Sequence, residues 1–364
     1  MIERRRFLAK ASGVAAAVGA GTIIEAPNVI AQPKVQWRLS TAWTGTLLYH
    51  AAAEKFSKIV DEASGGRFRI EVHPAGQIMG PFECFDAASQ GKIEAFHAAA
   101  IFWDAKEPAL QWFTTVPFGM NCDGMAAWFH HGEGLKLWEQ IYAPFKLVPR
   151  PGNQSAPEMG GWFRKKIVAM ADYKGLKMRI PGLGGKVVAR AGATVVTLPA
   201  GEVYAALERG VIDTSEYVGP HDDMVLGLHK TARYYYYPGW HQPGTTTEFT
   251  FNKRAYDALP VDLRRVLDHA AAAVQVHGLT EFHAKNAIAL QRLRTEFKGK
   301  VEVLQFPAPM MRELKKLAAD VVREESEKTP TARKVHASFT KFQALLGPWD
   351  HLAEGAYHQF VAGT

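Results

Sequence analysis

The stretch "PAGEVYAALERGVIDTSEYVG" (Pro199–Gly219) reads as a helix that stops at Gly210 and passes straight into a strand. A glycine there can adopt a positive φ and close the helix without a Cβ penalty. Ala88-Ser89-Gln90-Gly91-Lys92-Ile93-Glu94 follows the same grammar as Leu207-Glu208-Arg209-Gly210-Val211-Ile212-Asp213. Their separation along the chain is that of two domains rather than of a solenoid repeat. Two similar α/β lobes are therefore expected.

The neighbouring segments carry the same rhythm. "VQWRLSTAW" from Val35 alternates like a strand and enters a turn at Thr44-Gly45, and "LLYHAAAEKFSKIVDEASGG" has helical spacing up to Gly65-Gly66. "RFRIEVHPAGQ" is a second strand, and "PFECFDAASQGKIEAFHAAAIF" is a helix followed by a short apolar strand. In the second half "GLKMRIPG" is a strand and "GGKVVARAGATVV" a helix plus a strand. This order predicts a parallel or mixed sheet in each lobe, with helices on its faces. From Pro260 the pattern is helical almost throughout, and its first apolar stripe runs to Phe297. A helix of that length leaves any one lobe's core, so it either bridges the lobes or packs on another chain.

The 364 residues exceed one ordinary core and suit two lobes. With 47% hydrophobic and 22% charged residues, the chain is globular rather than disordered. Of the formal charge of +7, +2 belongs to residues 1–31 (Arg4, Arg5, Arg6 and Lys10 against Glu3 and Glu25), which leaves +5 for the rest. That dispersed excess helps attract small anions. No basic stripe interleaved with aromatics marks nucleic acid as a partner.

Residues 1–31 read as a signal peptide: a basic start, a short apolar run in "RRRFLAKASGVAAAVGAG", and small residues before Gln32. Arg4-Arg5-Arg6-Phe7-Leu8 resembles the twin-arginine pattern. Export to the periplasm as a soluble mature protein is expected. Cys84 and Cys122 are the only cysteines, too few for a four-ligand zinc site and outside any CxxC. Two unpaired buried thiols are the favoured reading, with a disulfide the alternative.

"TLPAGEVYAALERGVIDTSEYVGP" (Thr197–Pro220), with "GLKMRIPG" before it and "YYYYPGW" after it, resembles the solute-binding subunits of tripartite ATP-independent periplasmic (TRAP) transporters. The matching signature is Leu198-Pro199, then Glu202, Tyr204, Ala206 and Leu207, then Gly210, Ile212 and Asp213. The downstream "EYVGPHDD" and "YYYYPGW" are similar to the branch that binds small 2-oxo acids or lactate together with a metal ion. The resemblance implies a two-lobed periplasmic binding protein with a ligand cleft between its lobes and long C-terminal helices. Lobe I would take residues 32–157 plus about 249–285, and lobe II residues 158–248 plus about 286–364.

Arg179 ends the strand "KMRI" just before Pro181-Gly182. Its planar fork suits a bidentate carboxylate, although a lone arginine more often pairs with a neighbouring acid of its own chain. The resemblance places it at the family's carboxylate clamp. It also assigns metal ligands: Glu216, the Tyr217 carbonyl, Glu158 and Gln242, the last two exchanged in chemical type relative to the branch. Oxygen donors of this kind suit Na⁺ or Ca²⁺. Glu158, Tyr217 and Gln242 would also meet the ligand, and Phe102, Trp103 and Trp240 would wall the cleft. His221, Asp222 and Asp223 follow Pro220 and read as caps of the next helix. "GLGGK" (Gly182–Lys186) lacks P-loop spacing and reads as a turn that starts a helix, whose amides could face an anion. "YYYY" (Tyr234–Tyr237) reads as an alternating strand.

Three function classes follow from these residues. The first is a binding protein that captures a small carboxylate and delivers it to membrane permease subunits, with no bond-making required. The second is a secreted metalloenzyme using Glu216, His221 and Asp222 or Asp223, against which no HExxH or GxSxG is present. The third is a sensor subunit for the same ligand. Phe339, Phe342, Leu345, Leu346, Trp349 and Leu352 fall at helical spacing and need a partner surface, so a homodimer is expected.

Overall fold

The computed structural model describes residues 34–362, and the expected signal peptide lies outside them. The chain begins β1 (Val35–Thr41), α1 (Leu48–Ala63), β2 (Phe68–His73), α2 (Cys84–Ser89) and β3 (Ala95–Ala98). Two 3₁₀ turns, Ala100–Trp103 and Pro108–Phe113, lead to α3 (Cys122–His131), α4 (Gly134–Tyr142) and β4 (Leu147–Gln154). The next run is β5 (Gly161–Phe163), β6 (Lys177–Arg179), α5 (Gly182–Arg190), β7 (Thr194–Val196), α6 (Ala200–Glu208) and β8 (Thr214–Ser215). Then come α7 (Pro220–Val225), β9 (Tyr234–Tyr237), β10 (Thr246–Asn252), α8 (Lys253–Ala258) and α9 (Val261–Thr295). Past β11 (Glu302–Gln305) the chain ends in α10 (Ala308–Ser326), α11 (Pro330–Asp350) and α12 (Ala356–Ala362).

Two mixed sheets result, as the alternating rhythm predicts. The first has the order β2-β1-β3-β10-β4, with β1, β2 and β3 parallel and β10 antiparallel to both its neighbours. The second has the order β11-β9-β5-β8-β6-β7, with β6, β7 and β8 parallel and β5 antiparallel between β8 and β9. Gly91 and Gly210, the two glycines that decide the sequence reading, both take φ of +73° where a helix turns toward its strand. A side chain would be strained at either.

The first sheet packs on α1 and α9, with Phe56 of α1 stacked on Phe249 of β10 at 4.1 Å between ring centroids. Both rings are fully buried, and such a ring contributes roughly 1.5–3 kcal/mol by burial. α9 bridges the two halves: it packs on α1 and β4 of the first and on α7 of the second. Gly278 lets β4 approach this helix, because an added Cβ would fall 1.2 Å from Asn153 Oδ1.

The C-terminal helices divide between the halves. α10 packs on α5 of the second half. α11 returns to the first, against the expectation that everything after about residue 286 belongs with lobe II. Its reason is the apolar stripe: Phe339 meets Trp128 of α3 edge-on at 5.4 Å, and Phe342 closes over Gly132. Thr329 starts α11 by accepting from the Ala332 amide at 2.9 Å, with Pro330 at the first helical position. Cys84 and Cys122 are separate buried thiols, and burial raises the Cys122 thiol to about 12. No helix among the described residues is long and apolar enough to cross a membrane.

Candidate functional site

Both sheets present the carboxyl ends of their parallel strands to one small cavity of about 30 Å³. That is where open α/β sheets hold their ligands. The first sheet contributes Trp43 beyond β1, and Ile101 and Phe102 beyond β3. The second contributes Arg179 at the end of β6, and Glu216 and Tyr217 beyond β8. Glu158, which precedes β5, and Gln242, which follows β9, complete its polar side.

Arg179 is buried and aimed along this wall. Its Nη1 donates to Glu216 Oε1 at 2.6 Å and to the Glu216 carbonyl at 3.0 Å, and its Nε donates to the Leu198 carbonyl at 3.2 Å. Its guanidinium lies 5.1 Å from the centre of the Tyr217 ring. Nη2 is the donor group these contacts leave over. The two sequence alternatives for Arg179 therefore coexist: it pairs with an acid of its own chain and still faces the cavity. The Tyr217 hydroxyl is buried and has no hydrogen-bond partner among the described residues.

Glu158 and Glu216 are both buried, at 4% and 0% exposure. Donor atoms of Glu158, Glu216 and His241 lie within 4.8 Å of one another. His241 Nε2 sits 3.2 Å from Glu216 Oε2. Glu158 Oε1 accepts from Ser155 Oγ at 3.0 Å and, at 3.4 Å, from the Tyr49 hydroxyl. No cation of the chain pairs directly with Glu158 among the described residues, so burial, and then the Glu216 charge, push its carboxyl well above the usual range.

The amide of Gln242 lies between the two carboxylates. With its NH₂ turned to them it donates to Glu158 Oε2 and, at 3.2 Å, to Glu216 Oε2. With its oxygen turned to them, three oxygens converge on one point, which a cation, or a proton on Glu158, would make favourable. The residues therefore fit a hard cation: two carboxylate groups, an amide oxygen and the nearby Tyr217 backbone, in a buried place where one carboxylate lacks a cationic partner.

Some expectations are corrected by the geometry. Trp103 does not line the cavity; its ring packs on Phe85 at 5.2 Å and its Nε1 donates to Glu248 Oε1 at 2.8 Å inside the first half. Trp240 likewise turns away and stacks on Phe118. Asp222 and Asp223 do not cap their own helix, whose N-cap, Gly219, has no side-chain bond. Asp222 instead accepts from the Leu48 amide at 3.3 Å, so it caps α1 of the other half, and it also meets His221 Nδ1 at 2.9 Å. Asp223 accepts from Trp162 Nε1 at 2.9 Å and the Tyr235 hydroxyl at 2.8 Å, which ties α7 to the second sheet. Both aspartates are thus engaged in structural contacts, which leaves His221 as the remaining one of the metalloenzyme's expected partners for Glu216.

Residues not singled out from sequence complete the site. Trp43 and Tyr49 pack together at 4.6 Å, and Tyr49 reaches Glu158. The strand-end logic applied to Arg179 would also have pointed to Trp43, since β1 runs out just before it. His241 had only its adjacency to Gln242 as a signal.

Comparison with known proteins gives this geometry a family. Residues 39–329 match the family described as Bacterial extracellular solute-binding protein, family 7. The monocarboxylate 2-oxoacid-binding periplasmic protein of Nostoc sp. is 37% identical over 332 residues, covering 91% of this chain and 90% of that protein. A TRAP solute-binding protein of Bordetella bronchiseptica, a mixed-occupancy dimer with copurified calcium and picolinate, superposes with a TM-score of 0.88 at 33% identity, covering 91% of this chain and 98% of that one. A TRAP solute-binding protein of Pseudoalteromonas atlantica with bound sodium and pyruvate gives 0.87 at 35% identity, covering 90% and 99%. The chain belongs to the family 7 extracellular solute-binding proteins. It is a TRAP-type solute receptor rather than an enzyme.

Proposed function

We propose that this receptor binds a small 2-oxo acid such as pyruvate, or lactate, together with Na⁺ or Ca²⁺, in the cavity between the two sheets. The observation that carries this is the convergence of Glu158, Glu216 and the Gln242 amide beside the Arg179 guanidinium. A bound cation would supply the positive charge to which a ligand's carboxylate and 2-oxo or hydroxyl oxygen both turn. Arg179 would donate to the ligand carboxylate through Nη2 while Glu216 holds the rest of its fork in place. The buried Tyr217 hydroxyl, unpartnered among the described residues, is a further donor on a residue that lines the cavity. Trp43, Tyr49 and Phe102 exclude water from one side, which strengthens each of these contacts. The relatives with calcium and picolinate and with sodium and pyruvate support the same ligand class.

The reading extends to organisation. Lobe I comprises the first sheet with α1 and the start of α9, and lobe II the second sheet with α10. Residues 1–31 direct export to the periplasm, where the loaded protein delivers its ligand to TRAP permease subunits. Leu345, Trp349, Leu352 and Phe360 are 69–83% exposed at the end of the chain, and a second copy would cover them in a homodimer. Calorimetric titration of the purified protein with pyruvate, longer 2-oxo acids and lactate tests the ligand assignment. Saturable binding of one of them supports it, and heat-silent titrations with all of them would overturn it.

A further inference from the structure

Lys186 lies on α5, one turn beyond Gly182, and takes no part in lining the cavity. Its ammonium is nevertheless held by three acceptors. Nζ donates to Asp104 Oδ2 at 2.9 Å, Gln111 Oε1 at 3.0 Å and Glu325 Oε2 at 2.9 Å. A lysine has three N–H donors, so the group is saturated. The acceptors come from three elements. Asp104 follows the 3₁₀ turn that carries Ile101 and Phe102, Gln111 sits on the next 3₁₀ turn, and Glu325 is in the last turn of α10.

These elements fall on opposite sides of the cavity. Asp104 and Gln111 belong with the first half, whereas α5 and α10 pack together in the second. The contact they guard is tight. A Cβ at Gly182 would fall 2.1 Å from Ile101 Cδ1, so the backbone of α5 meets the Ile101 wall directly. Any movement that parts Gly182 from Ile101 must also pull Lys186 away from Asp104 and Gln111. Glu325 lies in the last turn of α10, where that helix also meets the Pro108–Phe113 turn, and it already holds Lys328 at 2.6 Å.

We propose that Lys186 is a positioning residue that latches the two halves together over the bound ligand, without touching it. The latch rests on the reading of the cavity as the ligand cleft. It acts by favouring the closed arrangement, so its effect appears in how long a ligand is held rather than in which ligand is chosen. Side-chain exposures of 29% for Lys186 and 34% for Asp104 leave the pair open to screening by salt.

The test is stopped-flow dissociation of pyruvate, followed by intrinsic tryptophan fluorescence. K186M and D104N should each speed dissociation by about three- to thirtyfold, the range for a part-exposed charge cluster. The double variant should be no faster than the faster single one, since both remove the same contact. K186R should stay close to the parent protein. Raising KCl (not NaCl, because Na⁺ is itself a candidate ligand) should speed the parent and leave K186M unchanged. A merely structural lysine would lower thermal stability without moving the dissociation rate or its salt dependence. Unchanged dissociation in K186M and D104N, with pyruvate binding intact in the parent, would overturn the latch and leave the ligand reading standing. If the parent binds no 2-oxo acid, the ligand reading fails, and small-angle scattering of the protein without ligand decides the latch. A larger radius of gyration for K186M than for the parent supports it, and equal radii overturn it.

Discussion

Two buried acids, Glu248 in the first half and Glu158 at the cavity, look alike in the sequence and differ in company. Glu248 accepts from Trp103 Nε1 at 2.8 Å, the Tyr142 hydroxyl at 3.0 Å and Thr250 Oγ1 at 2.6 Å. All three are neutral side-chain donors, and their geometry closes the account of that carboxyl. Glu158 has weaker protein donors and shares a buried space with a second carboxylate and an amide whose oxygen competes with its NH₂. Buried acceptors in excess of donors are costly unless something else satisfies them. The difference teaches where to look for a ligand: not at the most buried acid, but at the one whose neighbours are also acceptors.

The comparison can be broken first at Arg179, where the largest effect is expected. Arg179→Ala should lose on the order of 2–4 kcal/mol of 2-oxo acid affinity, roughly thirty- to a thousandfold in Kd. Arg179→Lys should recover only part of that, because it lacks the fork. Calorimetry on both variants checks this, and Arg179→Ala binding like the parent would contradict the clamp. Glu216→Gln should come next, weakening cation and acid together by about tenfold or more, since binding at coupled sites is reciprocal. Titrations of Ca²⁺ with and without pyruvate would expose an effect confined to one of them.

Glu248 sharpens the other side of the comparison. Burial raises its carboxyl from 4.5 to about 7, so the folded state holds a proton that the unfolded state releases. Its contribution to stability is therefore present below about 4.5 and declines as pH rises toward about 7. Glu248→Gln keeps the acceptor oxygen and can donate to Thr250. It should add on the order of 1–3 kcal/mol near pH 8 and flatten that decline, with pyruvate affinity unaltered. Urea denaturation at about pH 5 and 8 measures it. The smallest effect on the ligand is expected from the C-terminal stripe: Trp349→Asp with Leu352→Asp should halve the mass seen by light scattering and leave the cavity alone. A parent protein that is already monomeric would remove the dimer.

Much of this was legible in the sequence because it follows from local rules. Gly91 and Gly210 marked helix ends that need positive φ, and the strand before Pro181-Gly182 placed Arg179 at a sheet's carboxyl edge. Glu216 and Tyr217 also follow a strand, but their place at the site came from the resemblance to the TRAP solute-binding subunits. The rest depends on packing between distant segments, which no periodicity records. Trp103 was expected on the cavity because it follows a strand, yet its indole found Glu248, 145 positions away, while its neighbour Phe102 kept the wall. Asp222 and Asp223 obeyed the composition of a helix start, but their oxygens serve α1 and the second sheet. The apolar stripe of α11 predicted a partner surface, and the fold supplied one for Phe339 and none for Trp349.

The central claim is that one site holds the cation and the acid together, and thermodynamic linkage tests it most directly. Pyruvate affinity should be measured after chelation and again with saturating Ca²⁺ and with saturating Na⁺, on the parent protein. At least one cation should tighten pyruvate binding by about tenfold or more, and pyruvate should tighten that cation's binding by the same factor. Pyruvate affinity that is identical with and without either cation would contradict the shared site and leave Arg179 as the sole anchor of the ligand.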